Sequence, residues 1–145
     1  MTAMLLAACV STEVKPANPK VVSKLAVVKQ RHLATMVIYR PRNSFGGWVG
    51  ATVNLDGKAL VTLGNGRVFV FAIPPGHHVV EMDNKKSGTE VNLKADSSVY
   101  LKIEMVPGTF HGSGRLTQVA QEQGDFEARR LELGSPTDIE NPSFR

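Results

Sequence analysis

Adjacent histidines at positions 77 and 78 are the most evident candidates for metal binding in this sequence. They open the run HHVVEM (77–82), whose composition predicts a β-strand. Because successive side chains on a strand point to opposite faces, one ion cannot readily take both His77 and His78. The remaining histidines, His32 and His111, are isolated in sequence. We therefore predict no metal and no cofactor. We expect a histidine at the exit of a turn, with its ring nitrogen satisfied by a hydrogen bond.

A serine nucleophile is the next chemistry to consider, because Ser113 is flanked by glycines in HGSG (111–114) and His111 is near it. Such a nucleophile requires a positioned base and an oxyanion donor. The stretch lacks the G-x-S-x-G elbow and its strand-to-helix setting. Neither GNG (64–66) nor GSG (112–114) has the spacing or the lysine of a phosphate loop. We therefore expect no catalytic residues and a protein that is not an enzyme.

The single cysteine, Cys9, ends the tetrapeptide Leu6-Ala7-Ala8-Cys9. An apolar run followed by small residues is typical of the end of a secretory signal. The tetrapeptide resembles the lipobox of bacterial lipoproteins, which implies that Cys9 becomes the lipidated first residue of the mature chain. No Lys or Arg precedes it, so we expect residues 1–8 to be a truncated signal with the true start upstream. The alternative is that Cys9 is an ordinary small apolar residue near a terminus.

Two features beside Cys9 bear on its compartment. Val10 and Ser11, with no aspartate, imply outer-membrane sorting by the enterobacterial rule of lipoproteins. The net charge of +4 is also uneven, because residues 1–45 carry +6 and residues 46–145 carry −2. Near an anionic membrane surface each basic residue contributes about 1 kcal/mol. Nucleic-acid binding would need these residues on a folded face with aromatics, so we expect a membrane partner and no nucleic acid.

From Ala34 onward the sequence predicts short strands separated by turn residues. The predicted strands are 34–40, 48–55, 58–63, 67–73, 77–82, 89–95 and 98–105, with 114–120 as one more. Pro41 ends the first strand, and Asp56-Gly57 is a strong hairpin signal. Short strands with turns about every ten residues predict an all-β protein, a single antiparallel β-sandwich of about seven to eight strands.

The two ends of the chain are harder to assign. In residues 20–31, Val21, Leu25 and Val28 fit one helical face, but the valine-rich composition fits a strand equally well. This segment is an edge element of the domain or a docking segment that orders on a partner. Residues 125–133 are a short amphipathic helix or an edge strand. The predicted layout is a truncated signal over 1–8, a lipidated cysteine and basic tether over 9–32, a β-sandwich over 33–133 and a disordered tail over 134–145.

Several motifs between Ala34 and Leu133 carry a resemblance to a known family. They are Ile38-Tyr39-Arg40-Pro41, Val53-Asn54-Leu55-Asp56-Gly57-Lys58, Leu63-Gly64-Asn65-Gly66, Pro74-Pro75-Gly76-His77-His78, Val99-Tyr100-Leu101-Lys102 and Leu116-Thr117-Gln118-Val119. With them the chain resembles a bacterial lipoprotein family, domain of unknown function number 2846. The middle part also resembles the PEGA-type β-sandwich repeat, in which DG and PPGxH turns recur. The resemblance implies a β-sandwich and an envelope location, and it supplies no catalytic residues.

Aromatic residues in two predicted loops are the candidate interaction residues. Trp48, the only tryptophan, stands where the loop that contains Phe45 leads into the predicted strand 48–55, and Phe110 lies in the Gly-rich loop over 106–114. Aromatic side chains carry much of the binding energy of protein interfaces. The alternative for Trp48 is that it caps one end of the core.

These observations predict an outer-membrane lipoprotein that faces the periplasm, anchored by lipid on Cys9. Its non-catalytic β-sandwich would be a structural or adaptor module, or a subunit of a secretion, pilus or motor assembly, and its partners would be other envelope proteins. The alternative is a lipoprotein that binds a small ligand or glycan, which requires several aromatics on one face.

Overall fold

The computed structural model describes residues 14–43, 49–106 and 113–145. These residues form two helices, α1 (Pro19–Lys29) and α2 (Gln121–Ala128). The strands are β1 (Ala34–Tyr39), β2 (Ala51–Leu55), β3 (Lys58–Leu63), β4 (Arg67–Ile73), β5 (Gly76–Met82), β6 (Gly88–Leu93), β7 (Ser98–Val106), β8 (Ser113–Val119) and β9 (Glu132–Leu133). Two 3-10 turns, Pro136–Asp138 and Pro142–Phe144, follow β9.

The strands form two sheets. A five-stranded sheet has the order β8-β7-β1-β4-β9, and a four-stranded sheet has the order β3-β2-β5-β6. The prediction of an all-β protein is confirmed only in part, because the described residues are mostly strand but also form two helices, and their nine strands exceed the seven to eight expected. The five-stranded sheet is also mixed rather than antiparallel, because β1 pairs in parallel with β7 and β4 with β9. The two-residue strand β9 is too short for a periodic signal.

Strand β1 is buried along its whole length. Met36 and Ile38 belong to the larger hydrophobic cluster, to which strands of both sheets contribute. Val37 and Tyr39 belong to a second cluster with residues of the two helices. One face of the five-stranded sheet therefore meets the four-stranded sheet, and the other face is covered by α1 and α2.

Helix α1 differs from the predicted tether. The Asn18 side chain accepts a hydrogen bond from the Lys20 N–H at 3.0 Å, and Pro19 opens the first turn, so both residues favour a helix start. Val21, Leu25 and Val28 are buried against the sheet, and burying each stabilises the fold by roughly 1.5–3 kcal/mol. The tether expected over 9–32 is therefore too long, because packed structure begins near residue 18.

The C-terminal residues 134–145, which we expected to be disordered, contact both sheets. The Glu140 N–H donates to the Leu60 carbonyl of β3 at 2.8 Å, and Ile139 is buried. The Phe144 ring packs edge-on against Phe71 of β4, with centroids 6.1 Å apart. The polar, proline-rich composition hid these two apolar contacts from the sequence prediction.

The second helix begins earlier than the segment 125–133 predicted. Helix α2 lies so close to β7 that a Cβ built on Gly124 would stand 2.3 Å from the Cβ of Tyr100. Real Cβ atoms do not approach so closely, so this contact requires glycine. In the described part of the chain, no helix is long and apolar enough to cross a membrane.

Replacing Gly124 with alanine tests this contact. Alanine favours a helix over glycine by about 1 kcal/mol, but the clash with Tyr100 must displace α2. We expect Gly124→Ala to lower the free energy of unfolding by about 1–3 kcal/mol, measured by urea denaturation. Gly64→Ala is the control, because the nearest atom to its Cβ is the Arg67 Cγ at 3.7 Å. Equal stability of the two variants would contradict the close packing of α2.

Candidate functional site

The residues predicted to bind partners lie outside the described residues. Cys9 precedes them, and Phe45, Trp48 and Phe110 fall between the described ranges. The structure does, however, place the residues from which these segments start and to which they return. Those positions define the candidate site.

The parallel pairing of β1 with β7 brings the two aromatic-bearing segments to one end of the sheet. Tyr39 of β1 lies opposite Lys102 of β7, and both strands run in the same direction. The segments that follow them, 41–48 and 107–112, therefore start from the same end of the sheet. Here the chain forms a recess of about 270 Å³, which we call the loop-end recess. It is lined by Arg40, Pro41, Arg42, Asn43, Lys102, Ile103, Glu104 and Met105.

Arg40 fixes the position of the first of these segments. Its side chain is buried, and its guanidinium donates to the carbonyls of Val49 and, at 3.1 Å, Leu63. Its backbone N–H donates to the Arg67 carbonyl at 2.9 Å. A buried charge is tolerated only with such partners. Arg40 therefore ties the end of β1 to both Val49, where the segment returns, and β3 of the other sheet.

The wall of the recess formed by β7 carries a chain of ion pairs. The Lys102 ammonium lies 3.1 Å from a Glu127 carboxylate oxygen and 3.4 Å from Glu104. Glu104 also lies 3.0 Å from the Arg115 guanidinium on β8. Burial opposes the charged form of Lys102, but its bonds to Glu127 and Glu104 raise its pKa. These charges are matched, so this wall is held rigid.

Two buried tyrosines anchor α2 above the same sheet. Tyr39 donates to Glu127, and Tyr100 donates to Asp125, both at 2.8 Å. Burial and these hydrogen bonds raise the pKa of both tyrosines above the usual range. Burial opposes ionisation of Asp125, but bonds from Arg129 and Tyr100 lower its pKa. A general acid or base needs a pKa near the working pH, whereas these shifts keep the tyrosines neutral and Asp125 charged. The cluster is therefore suited to holding α2 in place.

A second polar cluster joins the β2–β3 hairpin to β5. Asp56 and Gly57 have φ values of +50° and +82°, which allow the tight hairpin turn. The His78 ring nitrogens lie 2.6 Å from an Asp56 carboxylate oxygen and 2.7 Å from the Pro74 carbonyl. The other Asp56 oxygen accepts the Val79 N–H at 2.9 Å. A neutral imidazole has one N–H and satisfies only one of these acceptors, so the site favours protonated His78.

The two adjacent histidines have separate partners, since His77 lies 3.3 Å from Glu90 rather than beside Asp56. Burial disfavours the charged form of His78, but its hydrogen bonds to Asp56 and Pro74 raise its pKa. Within residues 14–43, 49–106 and 113–145, no group of three or more His, Cys, Asp or Glu side chains is arranged to hold a metal ion.

Comparisons with known proteins give no match to a family model, a curated protein or a solved structure. The resemblance to the lipoprotein family, carried by short turn and strand motifs, stays a prediction.

Sequence reasoning missed the residues that build this end of the molecule. Arg40 had a signal, because it ends the otherwise apolar run ATMVIYR (34–40). No sequence signal indicates the hydrogen bonds from Tyr39 and Tyr100 to α2, because they join positions 88 and 25 residues apart.

The pairing of His78 with Asp56 predicts a pH dependence of stability. A raised folded-state pKa of His78 stabilises the fold fully below the unfolded value of about 6.5. This contribution is lost as the pH rises through the raised value. We expect the unfolding temperature of the wild type to fall as the pH rises above about 6.5. Asp56→Asn keeps a side chain that tolerates the left-handed turn and should flatten this slope.

Asp96→Asn provides the matched control, because Asp96 also has a positive φ of +61° and lies 2.9 Å from His32. Both partners there are largely exposed, so we expect this substitution to leave the slope unchanged. An identical slope in the wild type and Asp56→Asn would show that the His78 pair does not contribute.

Proposed function

We propose that this protein is a lipid-anchored component of the bacterial cell envelope whose two-sheet body is a non-catalytic β-sandwich that binds other envelope proteins. The anchor is lipid on Cys9, and the location is the periplasmic side of the outer membrane. The module is an adaptor or a subunit of an envelope assembly. It contacts its partner through Phe45, Trp48 and Phe110.

One observation supports the choice of the loop-end recess as the binding surface. The parallel register of β1 and β7 starts both aromatic-bearing segments from one end of one sheet, at the loop-end recess. Loops placed on a rigid scaffold are the usual site of binding residues. The burial of Arg40 and the ion pairs of Lys102 supply that rigidity.

The start of α1 bears on the distance between the domain and the membrane. The Asn18 N–H donates to the Arg129 carbonyl at 2.6 Å, so the packed body begins at this residue. A tether over residues 9–18 spans at most about 35 Å when fully extended. The basic residue Lys20 near the start of α1 then lies within reach of an anionic membrane surface.

A binding role fits the polar chemistry better than catalysis does. The buried tyrosines Tyr39 and Tyr100 are hydrogen-bonded and held neutral by burial. Their partner Glu127 forms an ion pair that joins α2 to Lys102 of β7, and Asp125 forms one with Arg129 at the end of α2. Groups arranged in this way stabilise the fold rather than exchange protons with a substrate.

The second candidate is a lipoprotein that binds a small ligand or glycan. The loop-end recess favours it, because its volume of about 270 Å³ suits a small molecule and Arg40 and Arg42 line it. Recovery of the protein alone, as a monomer, after mild-detergent purification from its host would favour this candidate over the adaptor.

The aromatic contact predicts a specific loss on substitution. We expect Trp48→Ala to reduce the envelope proteins that co-purify in mild detergent by about tenfold or more, as for a residue at the centre of an interface. Its unfolding temperature should stay within a degree or two of the wild type, since an anchor contributes little to the core.

Phe126→Ala is the matched control, because Phe126 is an aromatic residue on α2 that is 53% exposed. It should leave recovery of the partners unchanged. A drop of several degrees in the unfolding temperature of Trp48→Ala would instead place this residue in the core.

The anchor is tested by labelling with palmitate in the native host. We expect label on the wild-type protein and none on Cys9→Ser. The substituted protein should also leave the membrane fraction, because the acyl chains supply most of the membrane affinity. Wild-type protein without label would refute the lipid anchor.

A further inference from the structure

Beyond its first two residues, the outer edge of β4 has no strand partner among the described residues. Strand β9 pairs only with Arg67 and Val68, and the chain then turns away into the 3-10 turn at Pro136–Asp138. Val70, Phe71 and Ala72 of β4 border a groove of about 350 Å³ between α1 and the C-terminal segment. We call this the β4-edge groove.

The register of β1 and β4 shows which backbone groups face the groove. The Arg40 N–H donates to the Arg67 carbonyl, which makes these two residues a hydrogen-bonded pair. In an antiparallel ladder such pairs alternate, so Phe69, Phe71 and Ile73 direct their N–H and C=O groups to β1. Val70 and Ala72 direct theirs outward.

The outward groups of Val70 and Ala72 have the spacing that another strand requires. The Val68 carbonyl, which also points outward, already accepts a hydrogen bond from the Gly134 N–H at 2.9 Å. Among the described residues, no backbone hydrogen bond reaches Val70 or Ala72 from the outer side. The ladder that β9 begins is therefore left unfinished along β4.

The side chains around the groove are basic. Lys24 and Arg31 lie on the α1 side, and Arg145 lies on the side of the C-terminal segment. All three are exposed, and no ion pair within the described residues neutralises them. Apolar surface from Val28, Phe71 and Phe144 lies between them.

We propose that the β4-edge groove binds an extended, acidic segment of a partner protein, which adds a strand to the five-stranded sheet beside Val70 and Ala72. Main-chain hydrogen bonds supply affinity in this mode of recognition, and side-chain pockets supply specificity. Acidic side chains of the segment pair with Lys24, Arg31 and Arg145. This site is separate from the lipid anchor and the loop-end recess, so it stands or falls independently of them.

A second copy of this chain is the competing occupant. Pairing β4 with its own copy would bring Lys24 and Arg31 of both chains to one seam. Such repulsion between like charges is a common protection of sheet edges against self-association. The same charges attract an acidic strand, so they select a partner of opposite sign.

The test is amide hydrogen exchange on the full chain with two short peptides of alternating sequence. One alternates glutamate with valine, and the other alternates lysine with valine. We expect the glutamate peptide to slow exchange of the Val70 and Ala72 amides by about tenfold or more. The Phe69 and Phe71 amides, already bonded to β1, should change little. The lysine peptide should have no effect.

Two substitutions separate the backbone from the charges. Ala72→Pro removes an outward N–H that no strand of the sheet uses, and proline is tolerated at an edge. We expect it to weaken binding of the glutamate peptide by about tenfold or more, with an unfolding temperature close to that of the wild type. Lys24→Glu combined with Arg31→Glu should weaken binding of the glutamate peptide as strongly as Ala72→Pro does. Lys20→Glu on the same helix, outside the groove, is the control.

Three results would overturn the proposal. The first is full protection of the Val70 and Ala72 amides in the free, dilute protein, which would show that the edge is already paired. The second is protection that grows with protein concentration alone, which would make a second copy the occupant. The third is a glutamate peptide that binds Ala72→Pro or the charge-reversed variant as tightly as it binds the wild type.

Discussion

The burial of β1 on both faces is the constraint on which the rest of the structure depends. All six residues from Ala34 to Tyr39 are buried, and a strand of this kind needs a cover on each side of its sheet. The four-stranded sheet covers the face that carries Met36 and Ile38. The other face, with Val37 and Tyr39, would be exposed without α1 and α2. The segment before β1 is therefore part of the folded body.

The parallel pairing of β1 with β7 has a second consequence, for the distribution of surfaces. A parallel pair requires a crossover connection, and here strands β2 to β6 supply it. The segments after β1 and β7 start from one end of the sheet. The antiparallel partner β4 lies on the other side of β1. One strand thus separates the loop-end recess from the β4-edge groove.

Much of the strand pattern could be predicted from sequence, because it depends on local alternation and turn chemistry. The hairpin at Asp56-Gly57 and the strands 58–63 and 67–73 match the structure residue for residue. Helix α1 could not be assigned, since Val21, Leu25 and Val28 fit either period, and only the uncovered face of β1 decides between them. The strand order and the tyrosine contacts with α2 depend on residues distant in sequence. Local patterns contain no information about them.

Specific residues end the pairing of β9 with β4, so the outer edge of β4 beyond Val68 has no strand partner among the described residues. A Cβ on Gly134 would stand 2.0 Å from the ring of Phe69, so the chain can cross this ring only at a glycine. Two residues later, Pro136 has no N–H with which to continue the ladder. The Ser135 side chain accepts the Thr137 N–H at 3.3 Å and starts the 3-10 turn that leads the chain to β3. Without this turn, continued pairing would cover Val70 and Ala72. The sequence therefore ends β9 where the basic groove begins.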